Sequence, residues 1–429
     1  MDAHAPVPRT GSEPDRTTPW QWLGVLVLSL STFVVVTSEM LPVGVLTPMA
    51  DGLDVAPGTA GLSLTITGLV TAVTAPAVPR LLGALDRRVV LAVAMVVLAA
   101  GNALSAVAQG FGLLVVSRVV LGLGMGAVWG LSAAVATRLV AQRNIALAVS
   151  SVVSGVAAAS VVGVPLGTFV SNAFSWRVAF GALSVAAVAL AVGLVLVLPR
   201  LPRPAAAPGS DEQGRHEPLL RTPAVVIGLV LILFLVTAHF AAYTYVRPVL
   251  EERTELSPGP IALVLLVYGL FGLVGNFAAG AVAARRALGT VLGLTAGIGA
   301  AIALLALFST VSVLTGISVA LWGLAYGGLS VACQIWMTQA APHRVEHVTG
   351  LYVGVFTAAI ALGAFLGGVV VDTAGISTLL WGAAVLTAVA FAVGLLSPGR
   401  TSPPRPADDS PATSHRPTES PAAAAPTST

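Results

Sequence analysis

Glu39 and Arg118 are ionisable residues set inside long apolar runs of a chain in which only 9% of residues are charged. A carboxylate at membrane depth is costly and by default marks a proton or ion pathway. Glu39 lies about 9 residues before the end of the first apolar run and Arg118 about 8 residues after the start of the fourth. At ~1.5 Å per residue both fall roughly 12 to 14 Å below the same surface. Buried charges must pair or neutralise, and an arginine does not neutralise, so Glu39 is the expected partner of Arg118, directly or through water. Proton uptake by Glu39 would then release Arg118 and bias the protein between two arrangements.

Aromatic and polar side chains recur in other runs. His239 and Tyr243, four residues apart in HFAAYTYVRP, share a helical face, with Pro248 marking a helix end or break. A histidine in a membrane is a candidate for titration or for ligand contact. Trp129, Trp322, Tyr326 and Tyr268 lie well inside their runs, where flat rings could stack on a ligand or fill a bundle interior. Asn102, Asn276 and Gln334 are hydrogen-bonding groups of the kind that join helices in lipid. No HExxH, GxSxG or phosphate-cradling glycine loop with its lysine occurs, so neither an enzyme nor an ATP-driven pump is expected, and no cofactor or metal. The single cysteine, Cys333, reads as a small buried hydrophobe.

The elements that must hold these residues are transmembrane helices. Hydrophobic residues make up 56% of the chain and its mean hydropathy is +0.93, far above a soluble protein. The apolar material falls into about twelve continuous runs long enough to cross ~30 Å of hydrocarbon, including 260–284, 287–309, 346–371 and 376–397. Their length and their lack of alternation exclude a β-barrel. The expected fold is therefore all-α, with twelve transmembrane helices in two pseudo-symmetric six-helix bundles, 20–199 and 223–397. A linker at 200–222 joins the bundles, and the polar segments 1–19 and 398–429 are expected to be disordered.

All 21 basic residues are arginine. With both termini cytoplasmic, short cytoplasmic loops hold twelve of them and outer loops only Arg177, Arg247 and Arg253, as the positive-inside rule requires. The net charge of +3 thus reflects topology and not a nucleic-acid surface. A multi-pass protein of the cell membrane, the bacterial inner membrane included, is expected, with no cleaved signal peptide because residues 1–19 are polar and Pro-rich.

The two halves echo each other. ALDRR (Ala84 to Arg88) follows the second run and VAARR (Val282 to Arg286) the eighth, while GVPLG (Gly163 to Gly167) and GAFLGG (Gly363 to Gly368) occupy matching places in the fifth and eleventh. Internal repetition of this kind is typical of secondary transporters, in which two bundles rock around a site between them. GxxxG spacings such as Gly122 with Gly126 and Gly163 with Gly167 let helix backbones approach closely.

From Trp20 to Leu396 the chain resembles the major facilitator superfamily, in particular its twelve-helix drug:proton antiporter branch. The resemblance is carried by TSEMLPVGVLTPMADGL in the first run, RVVLGLGMGAVWG from Arg118, GVPLG with FSWRVAF in the fifth and beyond, and HFAAYTYVRPVLEE from His239. These strings are similar to sugar-efflux and purine-ribonucleoside-efflux proteins. The resemblance implies that Arg118 takes part in proton coupling. It also implies that Gly155, Gly163, Pro165 and Gly167 form the antiporter motif that bends the fifth helix, and that Asp86, Arg87 and Arg88 belong to a cytoplasmic latch. The sequence departs from the family at the glycine usually found after Asp-Arg, and Ala284 replaces the acid in the second copy.

The function expected from all this is proton-coupled export of a small organic molecule such as a drug, sugar or nucleoside by a monomer. Glu39 and Arg118 would couple protons, and His239, Tyr243, Trp129, Trp322 and Tyr326 would line the substrate cavity. Proton-coupled import on the same fold and a non-transporting membrane sensor are the alternatives.

Overall fold

The computed structural model describes residues 17–81, 85–201 and 219–397, and within them it is helical, with no β-strand. The segments 1–16, 82–84, 202–218 and 398–429 lie outside the described residues, and with them fall most of the expected linker and both expected disordered ends. Both bundles belong to one compact unit that ends at Ser397.

The N-terminal bundle is built from α1 (Pro19–Leu53), α2 (Pro57–Leu81), α3 (Arg87–Ala106), α4 (Phe111–Leu139), α5 (Ile145–Ala158), α6 (Val164–Ala173) and α7 (Trp176–Val197). The C-terminal bundle comprises α8 (Pro223–Thr244), α9 (Val246–Thr254), α10 (Pro258–Phe308), α11 (Ser312–Gly327), α12 (Leu329–Ala340) and α13 (Val345–Leu395). Ten helical stretches among the described residues are long and apolar enough to cross a membrane. Two of them, α10 and α13, run to 51 residues. That length would reach ~77 Å if straight, far beyond a hydrocarbon core of ~30 Å. Each is broken by one non-helical residue, Arg286 (φ −141°, ψ 62°) in α10 and Gly375 (φ 79°, ψ 171°) in α13. The positive φ at Gly375 suits a residue without a Cβ. Split at those two residues, the ten stretches become twelve segments, divided where the apolar runs divide.

Three runs are interrupted: the fifth, where the family resemblance implies a bend, the seventh, where Pro248 marks an expected end or break, and the tenth, where a continuous helix was expected. The fifth run is interrupted by a π-helical turn, Ala159–Gly163, closed by Val164 N–H donating to the Ala159 carbonyl, before α6 resumes with Pro165 in its first turn. In the seventh run α8 ends at Thr244, and α9 begins at Val246 after the single residue Tyr245, with Pro248 in its first turn. A proline there has no N–H to return to the Thr244 carbonyl and crowds it, which favours the break at Tyr245. The tenth divides at Gly328 between α11 and α12.

The bundles meet mainly along α13 with α2 and α10 with the π turn and α6. They meet near the face on which α1 ends and α2 begins, termed here the distal face. The opposite face, on which α1 and α8 begin, is the terminal face. On α13, Ala361, Gly368 and Asp372 point to α2: Thr65 Oγ1 donates to the Ala361 carbonyl (3.1 Å), and Gly58 N–H donates to Asp372 Oδ1 (2.8 Å). Gly350 and Gly354 lie on the same helical stripe nearer the terminal face, because steps of seven and eleven residues return to nearly the same side of a helix. A Cβ placed on either meets no atom within 4 Å among the described residues. Among the described residues the stripe is thus in contact along its distal stretch, whereas at Gly350 and Gly354 it leaves room for a side chain.

Candidate functional site between the bundles

The expected partnership of Glu39 and Arg118 is not formed as a direct contact. Arg118, fully buried, donates to the Ser38 carbonyl (3.3 Å) and lays its guanidinium over the Phe180 ring, 4.6 Å from the centroid. Around it Asn102 Nδ2 donates to Ser38 Oγ (2.9 Å), and Ser105 Oγ donates to Ser117 Oγ (2.9 Å). Arg118 Nε, its second terminal nitrogen and Asn102 Oδ1 find no partner among the described residues. This is a polar pocket inside the N-terminal bundle. Adjacent helical residues project about 100° apart, so Ser38 turns towards α3 and α4 while Glu39 turns away from them. Equal depth brought the two charges to one level but not to one side of α1.

Glu39 faces the other bundle. It shares a helical face with Val43, four residues on; Thr47 lies beyond the non-helical Val45 (φ −121°, ψ 17°), where α1 kinks. Val43 is packed in the core of the C-terminal bundle, with Met40 against its edge, and Thr47 Oγ1 donates to Glu251 Oε2 of α9. Glu39 is 5% exposed, and no hydrogen bond or ion pair reaches its carboxylate among the described residues. It lies close enough to the Tyr326 phenol to interact with it electrostatically.

On the C-terminal side four rings form a continuous stack. Tyr326 lies on His239 at 3.5 Å and 1°, His239 on Tyr243 at 5.2 Å and 19°, and Tyr243 on Tyr268 at 4.7 Å and 25°. Trp322 stands edge-on to His239, Tyr243 and Tyr268 and donates its indole N–H to His239 Nδ1 (3.0 Å). Because Nδ1 accepts, a neutral imidazole carries its proton on Nε2. That nitrogen and the Tyr268 hydroxyl are buried without a partner among the described residues. The helical spacing of His239 and Tyr243 explains why α8 presents both rings to α10 and α11.

Trp129 is not part of this group. It is 43% exposed and lies in the N-terminal bundle beside Thr32, Ser132 and Val152. Its position along the fourth run gave its depth but could not bring it to rings held by the opposite bundle.

The glycines of the fifth run face α1 in register. A Cβ on Gly155 would run into the Ser29 carbonyl, one on Gly163 into Thr37, and one on Gly167 into Leu41. The steps of eight and four residues are the same on both helices, which run parallel at close approach. Across the π turn, a Cβ on Gly269 of α10 would come 2.5 Å from Val161 Cα. The widened turn before Pro165 is thus where the second bundle crosses. Asp86 caps α3 by accepting from Arg88 N–H (2.9 Å) and also accepts from Leu201 N–H (3.0 Å). Arg87 N–H donates to the Leu201 carbonyl (3.1 Å) and Arg88 reaches the Leu198 carbonyl (3.3 Å). The three residues that the family resemblance assigns to a latch thus tie α3 to the chain leaving α7, within one bundle.

A clasp on the distal face involves Arg247, which composition alone had placed in an outer loop. Arg247 is buried and donates to Glu251 Oε1 (2.8 Å), to the Gly44 carbonyl (2.6 Å) and to Asn172 Oδ1 (3.3 Å). Asn172 Nδ2 in turn donates to the Pro258 carbonyl (2.8 Å). Tyr245 Oη adds a bond to the Ala364 carbonyl (2.8 Å) and a longer one to Gly58 (3.4 Å). The i, i+4 spacing of Arg247 and Glu251 was the available signal.

The family model described as Major Facilitator Superfamily matches residues 28–356 and 257–426. Among curated proteins, the purine ribonucleoside efflux pump NepI of Salmonella paratyphi B is 30% identical over 86% of this chain and 93% of its own length. The transcription regulatory protein OpdE of Pseudomonas aeruginosa is 32% identical over 88% of this chain and 94% of its own. Among solved structures, a bacterial homologue of the human lysosomal transporter Spinster, in an inward-facing and occupied conformation, superposes with a TM-score of 0.70 at 14% identity, covering 90% of this chain and 97% of that one. A point mutant of the nucleoside transporter NupG does so with a TM-score of 0.70 at 13% identity, covering 87% and 99%.

Proposed function

Since the chain belongs to the major facilitator superfamily and is a multi-pass membrane protein, we propose that it exports a small organic molecule in exchange for protons. Glu39 is the proton-carrying group in this reading. The observation that carries it is a buried carboxylate, unpaired among the described residues, that faces the opposite bundle next to the aromatic stack. A carboxylate in that setting is far more easily buried neutral than charged, so proton gain and loss change how the bundles meet.

Arg118 acts from behind α1, through the Ser38 carbonyl, and senses the turn that carries Glu39. His239, Tyr243, Trp322 and Tyr326 form the substrate side on the C-terminal bundle; Trp129 borders the N-terminal side at most. With both termini in the cytoplasm of a bacterial inner membrane, the clasp at Arg247 closes the outer side and the stripe at Gly350 and Gly354, which leaves room for a side chain, faces inward. The cycle then consists of passing contact from one stretch to the other, with Gly155, Gly163 and Gly167 holding the fifth run against α1, the π turn before Pro165 serving as the seam against Gly269 of α10, and Asp86, Arg87 and Arg88 holding the inner end of the first bundle together. A single copy of the chain suffices for this. One charge moving through 100 mV supplies ~2.3 kcal/mol before any pH gradient is counted.

A nucleoside cargo and the outward direction are favoured by the printed name of the NepI relative. A second reading, a membrane regulator that moves nothing, is favoured by the printed name of the OpdE relative. Energised inverted vesicles with a pH-sensitive dye separate these. Export predicts that inosine, arabinose or chloramphenicol dissipates an imposed gradient in protein-containing vesicles only. A regulator predicts no flux with any of them, and an importer predicts accumulation of the ligand by energised cells.

A further inference from the structure

The stack of four rings ends on Tyr326. One face of that phenol covers the His239 imidazole at 3.5 Å. No second ring stacks on its other face among the described residues, and Phe240 meets it only edge-on, at 6.1 Å and 86°. His239, Tyr243, Tyr268 and Trp322 are buried, whereas Tyr326 is half-buried. The terminal ring of the column is therefore its least buried one, and it stands within electrostatic range of Glu39 across the interface.

We infer that the outer face of Tyr326 is a stacking platform for a planar heteroaromatic ring, and that Glu39 accepts a hydrogen bond from an N–H or O–H at the edge of the same ligand. The inference rests on the exporter reading for its place in a transport cycle and deepens it by assigning which part of the cargo is read. A flat π system continues a column already built of parallel rings, and a carboxylate reads a donor on its edge. A pentose offers no such face. The ring is thus the recognised part, and an attached sugar is tolerated without being required. The rings beneath are immobilised by mutual stacking and by the Trp322 to His239 hydrogen bond, so the platform is in place before the ligand arrives.

The test is calorimetric titration of the purified full-length protein in detergent with inosine, with its free base hypoxanthine and with ribose. Inosine and hypoxanthine should bind with Kd values within about tenfold of each other, and ribose should not bind. Replacing the platform with Tyr326→Leu should raise Kd by about tenfold to a hundredfold, the range of a lost base–aromatic stack. Tyr326→Phe and Tyr326→Trp, which keep a flat face, should stay within about threefold of the wild type, a difference under 1 kcal/mol. Should the leucine variant fail to fold, the contrast of hypoxanthine with ribose and the tryptophan variant still decide the matter. Ribose binding as tightly as inosine, failure of both purine probes to bind the wild type, or a folded Tyr326→Leu with unchanged affinity would each overturn the platform. Binding that follows the platform pattern without any ligand-driven proton flux in vesicles would overturn the exporter reading and leave the platform standing.

Discussion

The distal and terminal stretches of the bundle interface are made from the same helices and differ in what they hold. At the distal face α13 is joined to α2 by Gly58 and Asp372 and by Thr65 and Ala361, while Arg247 and Asn172 reach from bundle to bundle. Towards the terminal face the same stripe of α13 carries Gly350 and Gly354 with nothing within 4 Å among the described residues. Closure of the distal stretch thus combines small residues and a few polar contacts with apolar clusters drawn from both bundles, in which Val43, Leu64 and Val164 join the C-terminal core and Ala241 and Tyr245 join the N-terminal one. Glu39 stands about one helical turn from Val43 and Gly44, at the edge of the closed stretch.

The largest effect on this asymmetry is expected at Arg247. Arg247→Ala removes three hydrogen bonds and leaves the Glu251 carboxylate without its cation. Bonds to a charged group are worth ~1.5–3 kcal/mol, so the population with a parted distal face should rise by at least about tenfold. Spin labels on α1 and α9 should record a longer distance distribution by double electron–electron resonance; an unchanged distribution would show that the clasp does not hold the closed stretch.

A matched pair of substitutions probes the two stretches side by side. A Cβ on Gly58 would collide with Asp372 and the Gly368 carbonyl, whereas Gly354 has open space. Gly58→Val should lower thermal stability in detergent by the ~1–3 kcal/mol typical of overpacking, and Gly354→Val should leave it nearly unchanged. Under the alternating reading, Gly354→Val should nonetheless slow ligand-driven flux, because the terminal stretch must close in its turn. Equal stability loss in the two variants would erase the distinction between the stretches.

The smallest effect belongs to Thr65→Val. It deletes one neutral hydrogen bond across the distal interface, with an expected cost of ~1 kcal/mol. The melting temperature and the label distances should move in the same direction as for Arg247→Ala, and by less.

The helical architecture was legible because apolar runs of membrane-crossing length leave few other options, and the breaks at Arg286 and Gly375 fell between runs already separated. A bend in the fifth helix was implied by the family resemblance at Gly163 and Pro165, but its form as a π turn over Ala159–Gly163, and the approach of Gly269 of α10 there, had no local sequence signal. Of the site, the facing of His239 and Tyr243 followed from their spacing. Depth arithmetic gave Glu39 and Arg118 the same height but could not say that Glu39 projects from the side of α1 turned away from α4, which carries Arg118. It likewise could not separate Trp129, held by the first bundle, from Trp322 and Tyr326, held by the second. Arg247 was assigned to a loop by composition, and burial in a short helix wedged between bundles has no signature beyond its i, i+4 partner Glu251.

Proton exchange at Glu39 is decided by comparing wild type with Glu39→Gln in inverted vesicles, using a pH-sensitive dye and inosine as the added ligand. Glutamine keeps the size of the side chain and its hydrogen-bonding ability but neither gains nor loses a proton in the physiological range. If Glu39 is the proton carrier, inosine dissipates the gradient in the wild type and the variant's response falls by at least about tenfold, with its residual transport insensitive to pH. A variant whose ligand-driven proton flux and pH response match the wild type would contradict that role.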